Sequence, residues 1–449
     1  MIQTLKRLAF LLLATACLAA AALLFLPAFR EGEDGADPQA GCLHHKDDEG
    51  IGSTPENPEA GSTHHIESAN TAALATAIPM TAETPAPPVP AGAWNTYHGD
   101  GTLTGAVGTL FPPALVQAWQ ALVGGPVEQT PVAGRGRIYA VTDRATVVAL
   151  NGEGREVWKR VITPEIATGG QALPLYVDAP LACFEDKIFV GTDDGILTAL
   201  NADTGETAWR VPVDGFMHGT VIYQKESGSL FVVEQETGAL LCLDINTGVL
   251  RWRSEGVDRA DGSPSITADT VVYGSCASAM HVVSTKDGSR LRDIKIEGGG
   301  GQVAGGVAVA DGFAYAGCRD GRVMGAKIND ASLAWIQTVS KTEVFSTPAV
   351  KGEWVVVTSL DGMLHALDRD TGEPRWRHEL GGEPKSPVIA GDKVVVTSDD
   401  GLFLVNLEDG ARVWETRMAG FLSSPAVVGA MIVVGCEDGT VTAFTASSE

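Results

Sequence analysis

Cysteine is scarce and carries no pairing pattern: 7 in 449 residues, with no Cys-x-x-Cys and no adjacent pair. Disulfides and cysteine-built metal sites therefore have no recognisable framework, and cysteine usage leaves the compartment open. Positive charge is also short. Lys and Arg number 32 against 56 Asp and Glu, for a formal net charge of −24. No basic face offsets that balance, which excludes a nucleic-acid binder. No nucleophile-elbow motif frames a serine, and no Asp-x-Asp-x-Asp-Gly run could fold around calcium. The glycines Gly298–Gly301 with Gly305-Gly306 lack both the Gly-Lys-Ser/Thr ending of a phosphate loop and a following helix.

What the chain does contain is a repeat. Ala199-Leu200-Asn201-Ala202-Asp203-Thr204-Gly205, followed by Trp209, returns as Leu241-Cys242-Leu243-Asp244-Ile245-Asn246-Thr247-Gly248 with Trp252. It returns again as His365-Ala366-Leu367-Asp368-Arg369-Asp370-Thr371-Gly372 with Trp376. In register, the aromatic position holds Trp158, Trp209, Trp252, Trp335, Trp376 and Trp414, and Trp119 adds one more without its own Thr-Gly. A period of roughly 40 residues marks a propeller or solenoid, so most of the chain is one large domain.

Each copy opens on a short strand led by a small residue: Thr130-Pro131, Ala179-Pro180, Gly219-Thr220, Ser263-Pro264, Ala304-Gly305, Thr347-Pro348, Ser386-Pro387 and Ser424-Pro425. A β-rich run follows, then a hairpin such as Asp320-Gly321 or Asp438-Gly439, whose Gly suits a type I′ turn. A third strand leads to the Asp-Thr-Gly turn, and the fourth carries Trp. The last copy ends without a Trp strand, whereas Leu115-Val116-Gln117-Ala118-Trp119-Gln120-Ala121-Leu122 is a Trp strand without the other three. Joining them predicts an all-β, eight-bladed propeller of four-stranded antiparallel blades, closed by its N-terminal strand. The seven tryptophans are expected to dock blade on blade, where truncating a large aromatic costs about 3–5 kcal/mol.

One copy breaks the rule. Arg292 stands at the Trp position, and Cys276-Ala277-Ser278-Ala279-Met280 replaces the Asp-Gly hairpin. That blade is expected to dock less firmly or to use the Arg stem as cover, and is a place a partner could exploit. Cys276, Cys318 and Cys436 fall at one equivalent position in three copies, too far apart to bridge, and read as buried free thiols. The glycine-rich stretch reads as an inter-blade connection.

Ahead of the repeat, Lys6 and Arg7 precede an apolar run over residues 8–29. It is long enough to span a bilayer with its basic flank cytoplasmic, and reads as a signal anchor over residues 1–29. The rival fates are a lipoprotein signal ending at Cys17 and ordinary signal cleavage. All three place the propeller outside the cytoplasm, on the periplasmic side. Residues 30–92 lose periodicity, are rich in acidic residues, Pro, Ser and Thr, and read as a disordered linker ending in a stiff Pro-rich spacer. Cys42, His44, His45, His64 and His65 lie in it, but their spacing fits no closed metal site, and they read as linker polarity.

The strand–Asp-Gly–strand–Ala-Leu-Asn-Ala-Asp-Thr-Gly–Trp pattern resembles the tryptophan-docking repeat of the pyrroloquinoline-quinone-like propeller family. The likeness runs from Trp94 to Phe444 and includes the lead-in Trp94-Asn95-Thr96-Tyr97-His98-Gly99-Asp100. That superfamily holds both quinone- and calcium-dependent dehydrogenases and the non-catalytic BamB-like branch of outer-membrane assembly factors. A dehydrogenase of alcohols or sugars is the alternative reading. It would need carboxylates around Ca²⁺ and a pocket for the flat quinone, and the resemblance further implies long insertions and, in many members, adjacent cysteines. This chain has short, even blades and neither feature. The expected role is therefore non-catalytic: no catalytic, cofactor or metal residues are assigned, and the propeller acts as a monomeric binding or scaffold module. Its partner is an envelope protein or peptide held on one propeller face. In attachment the chain departs from that branch, whose members are short-tethered lipoproteins.

Three sets of polar residues are the remaining candidates for chemistry. His218, just before an inner strand, could face the channel near Asp178. Ser263, Ser386 and Ser424 precede Pro and read as strand-start turns. His281 and His365, on third strands, read as exposed residues with surface or packing roles.

Overall fold

The computed structural model describes residues 94–164, 175–213, 215–298 and 300–447. The segments read as anchor and linker, residues 1–92 with Cys17, Cys42 and the His pairs, lie outside the described residues. Among the described residues, no helix is long and apolar enough to cross a membrane.

Eight antiparallel sheets follow one another in chain order, and the sheets form the eight-bladed propeller. In the first blade the strands are Val132–Gly134, Arg137–Val141, Thr146–Leu150 and Glu156–Val161, from channel to rim. The second strands explain why the ring holds. Lys187–Thr192 and Lys393–Ser398 are buried throughout, whereas the outer strand Glu156–Val161 is almost wholly exposed. Strands sandwiched between neighbouring sheets need apolar side chains on both faces, and runs such as Val394-Val395-Val396 provide them. Closure occurs as expected: Leu115–Leu122 pairs antiparallel with Thr440–Ala446, so the eighth blade takes its outer strand from the start of the domain.

Five of the seven outer tryptophans share one hydrogen-bond geometry. A register shift sits beside the aromatic position in every blade, including the one with Arg292. Such bulges bend the strand and re-aim a side chain. The indole N–H groups of Trp119, Trp158, Trp209, Trp335 and Trp376 donate to Gly152, Ala202, Ile245, Arg369 and Leu407 at 2.7–3.0 Å. Each acceptor lies in the third-to-fourth-strand turn of the next blade. The same turn presents a glycine to the ring: a Cβ on Gly205 would sit 2.6 Å from Trp158, and one on Gly372 would sit 2.5 Å from Trp335. Those turns are shaped by their first residue. Asp368 Oδ1 accepts the Asp370 and Thr371 amides at 3.1 and 2.9 Å, as expected for Asx chemistry.

The irregular blade is docked by a substitute contact. Arg292 donates from one guanidinium nitrogen to Ile328 O at 3.1 Å and Asn329 O at 2.8 Å. Ile328 O is the carbonyl an indole would take at that position. The facing turn carries Ala331 instead of glycine, at φ 50°. With no indole ring to accommodate, a methyl group is tolerated there. The Asp-Gly hairpins differ from the type I′ expectation. Gly321, Gly362 and Gly439 have positive φ, but the preceding Asp residues do not, whereas type I′ requires both.

The lead-in is a strap that visits the blades in turn. Trp94, Asn95, Gly101, Thr102, Thr104 and Gly105 offer their carbonyls to the amides of Ala133, Cys183, Ile266, Val309, Val350 and Ile389 at 2.6–2.8 Å. Thr96 meets Thr220 at 2.9 Å, and Thr109 donates to Gly429 O in the eighth blade at 3.1 Å. Ala106–Val107 then pairs parallel with the inner strand Val388–Ala390, making that sheet five-stranded. Inner strands otherwise leave unpaired amides at the channel, and the strap satisfies them.

Two expectations are corrected. His281 and His365 are buried, not exposed, because third strands lie between blades. Cys318 and Cys436 are buried free thiols, as read, but Cys276 is partly exposed, since its hairpin lacks the Asp-Gly geometry. Burial pushes the Cys318 thiol up to about 12.

Two predictions follow from this packing. Arg292→Trp alone should destabilise the propeller by about 1–3 kcal/mol through overlap with the Ala331 methyl. Adding Ala331→Gly should recover most of the loss, so a denaturation double-mutant cycle should show strong coupling; additive effects would refute the paired substitution. Burial also holds His281 and His365 below the ordinary imidazole range, against the pull of Asp293 on the first and Asp361 on the second. The unfolded chain then binds more protons below about pH 6.5. Stability should fall from pH 7 towards pH 5, before the carboxylates titrate, and His281→Gln with His365→Gln should flatten that limb of a urea-melt pH series.

Candidate functional site

The strap and the loops leave the two channel mouths unlike. Inner strands run from residues such as Thr130 towards turns such as Arg135-Gly136. Strap residues Asn95 and Asp100 share a cavity with Arg135, Glu185 and Lys225 at that far end. At the near end, the loops that lead into all eight inner strands converge on a funnel of about 280 Å³, with Tyr97 of the strap among its lining residues.

Ser263, Ser386 and Ser424 stand at strand starts, as expected, and the hydroxyls of Ser263 and Ser386 also latch blades around the funnel. Ser263 Oγ accepts the Thr220 amide at 3.1 Å, Thr347 Oγ1 accepts Gly306 at 3.1 Å, and Ser386 Oγ accepts Thr347 at 2.9 Å. Tyr97 donates its hydroxyl to Ser386 Oγ at 2.7 Å, and burial raises its pKa. Gly262 and Gly305 are required by the same crowding: a Cβ on Gly262 would overlap Gly305 O. The glycine-rich connection is thus part of the funnel wall.

His218 lines the funnel, as expected. Asp261 of the following blade lines the funnel with it, whereas Asp178 contributes to raising the Glu128 carboxyl of the first blade. Asp261 is held by Gln235 at 2.7 Å and Arg259 at 2.9 Å, with Arg319 at 3.5 Å. Desolvation and the nearby carboxylates Asp143, Asp178 and Glu437 push the Glu128 carboxyl up, with Lys385 opposing.

One constellation escaped sequence reading. Ser275 Oγ lies 2.8 Å from His281 Nε2, and His281 Nδ1 lies 2.8 Å from Asp293 Oδ1. The signal was available in the register, which sets Tyr273 and Asp293 opposite His281. This geometry matches a Ser-His-Asp relay, but Ser275 is fully buried and its hydroxyl accepts the Ala277 amide. A nucleophile needs an approaching substrate carbon and an oxyanion site, and the blade interior gives neither. Ser359 and His365 repeat the contact at 2.9 Å with Arg377 opposite His365, which marks it as a blade-packing device.

A calcium–quinone pair fits poorly. Asp261 is already committed to Arg259 and Arg319, and among the described residues no group of three or more His, Cys, Asp or Glu is placed to hold a metal ion. The funnel wall mixes strand-start hydroxyls and glycines with the rings of Tyr97, His218 and Phe345 and the charged Glu128, Asp261 and Lys385.

Comparison with known proteins agrees with the repeat. The model of the family described as outer membrane protein assembly factor BamB matches residues 154–304, 293–389 and 361–448. The BamB of Shewanella oneidensis is 22% identical over 372 residues, covering 68% of this chain and 91% of that protein. The crystal structure of BamB from Moraxella catarrhalis superposes with a TM-score of 0.63 at 20% identity, over 74% of this chain and 100% of that one. A quinohemoprotein alcohol dehydrogenase from Comamonas testosteroni reaches 0.66 at 14% identity, over 80% and 81%; such likenesses show the fold alone. With the family match spanning most of the ring, this chain belongs to the family of the outer membrane protein assembly factor BamB.

Proposed function

We propose that this protein is a membrane-tethered, extracytoplasmic scaffold that takes part in outer-membrane protein assembly by holding a protein partner on its funnel face. The observation that carries the reading is the asymmetry of the two mouths. Asn95 and Asp100 of the strap line the far mouth, whereas among the described strap residues only Tyr97 lines the funnel, whose wall is otherwise built from the loops that lead into the eight inner strands. Rigid strands that present clustered loops are a common design for recognition. The conspicuous polar residues of the ring are engaged in turns, latches and blade packing, which leaves the protein surface as its working part. Non-catalytic action and the absence of a resident quinone or metal belong to this reading. So do anchoring by residues 1–29, a periplasmic location and action as a monomer.

Crosslinking in the native envelope, followed by mass spectrometry, tests the role. A component of the β-barrel assembly machinery should be recovered on funnel-face residues. Recovery of unrelated partners alone would refute it, as would dye-linked alcohol or sugar oxidation by protein reconstituted with quinone and Ca²⁺.

A further inference from the structure

Among the described residues, every exposed Phe or Tyr lies on the funnel face: Tyr176, Phe216, Phe345 and Phe421 sit in loops leading into inner strands. Apolar surface left in water costs about 25 cal/mol per Å², and a clustered patch marks an interaction site. The cluster is densest beside the funnel. Phe421 is 57% exposed, Leu360 40% and Phe345 36%. Two further cavities, of about 250 and 310 Å³, flank the funnel there, and all three share Lys385 in their lining. Phe421, Leu422 and Glu437 line one flank; Phe345, Leu360 and Pro384 line the other. Together they form one three-lobed groove.

Its floor is fixed before anything binds. The Glu437 amide donates to Phe421 O at 2.9 Å, Leu422 to Asp399 O at 2.9 Å, Leu360 to Glu343 O at 3.0 Å and Lys385 to Thr397 O at 2.9 Å. Arg319 lies over the Phe345 ring at 4.5 Å from its centroid. Little ordering entropy remains to be lost on docking. The charge is one-sided. Glu128, Glu383 and Glu437 line the groove, and among the described residues none forms an ion pair; Lys385 is the cation among them. Repulsion between these carboxylates is relieved by an incoming cation, and the exposed rings give its neighbours an apolar seat.

We propose that this groove docks an extended peptide segment in which aromatic or aliphatic side chains alternate with lysine or arginine. The proposal rests on the scaffold reading and specifies what the funnel face recognises. Apolar side chains occupy the lobes at Phe421 and at Phe345 with Leu360, and a basic side chain enters between Glu128 and Glu437. Lys385 opposes that cation and limits affinity.

The test uses the full chain in detergent micelles and two fluorescein-labelled octapeptides, one alternating Phe or Leu with Lys and the other with Glu in place of Lys. Fluorescence anisotropy should show saturable binding of the Lys peptide and at least about tenfold weaker binding of the Glu peptide. Phe421→Ala and Glu437→Gln should each weaken the Lys peptide at least about fivefold, Lys385→Glu should tighten it, and Leu110→Ser at the strap should change nothing. Both groove side chains are exposed, and unchanged melting curves would verify that the variants fold. Equal binding of the two peptides would overturn the proposal, as would unchanged affinity in F421A and E437Q. So would a concentration-dependent dimer lost in F421A, which would assign the groove to a second copy. Envelope crosslinking separates the two readings: expected peptide binding with no assembly component recovered would remove the scaffold role and leave the groove standing.

Discussion

The contact on which the ring depends joins the outer-strand tryptophan of one blade to the turn of the next. A bulge aims the indole, a carbonyl takes its N–H, and a glycine lets the ring close down, as at Trp158 with Ala202 and Gly205. None of these parts works alone. An indole without a partner would leave a buried donor, and a Cβ on the glycine would hold the blades apart. At five blade boundaries the contact accompanies hydrophobic clusters that each bridge neighbouring blades. The irregular blade shows how specific the solution is. Arg292 reaches the same carbonyl with a guanidinium, and the facing glycine relaxes to Ala331.

A second constraint acts at the axis. Inner strands crowd together at the funnel, and their amides need acceptors. At one end the strap supplies carbonyls; at the other, hydroxyls of Ser263, Thr347 and Ser386 bridge blade to blade. These two devices engage inner-strand amides and funnel hydroxyls in bonds between elements. The buried Ser275–His281–Asp293 chain is a separate network inside one blade, whose relay-like distances serve packing. Outside these networks, among the described residues, exposed rings share one face with Glu128, Glu383 and Glu437, which form no ion pair, over a hydrogen-bonded backbone.

Much of the architecture was legible in the residues. The period, the orphan Trp119 strand and the truncated last copy together implied eight blades and the way they close, because hydrophobic alternation and turn chemistry are local. The Arg292 exception was visible too, but its pairing with Ala331 was not, since the two meet only across a blade boundary. Ser263 and Ser386 looked like turn residues for the same reason: their second partners lie in another blade, about a whole repeat away. Nothing along the chain marks His281 and His365 as buried, because a third strand carries no sign of which neighbour covers it.

The sequence by itself determined the repeat, the blade count, the closing strand and the acidic character, all of which follow from spacing and composition. Only the tertiary structure decided that Trp94–Val107 straps the blades together, that hydroxyls latch the funnel, and that Phe345, Leu360 and Phe421 share one groove. The physical reason is distance. Local chemistry fixes a turn within a few residues, whereas the ring brings together side chains from strands hundreds of residues apart, and no pattern along the chain records that meeting.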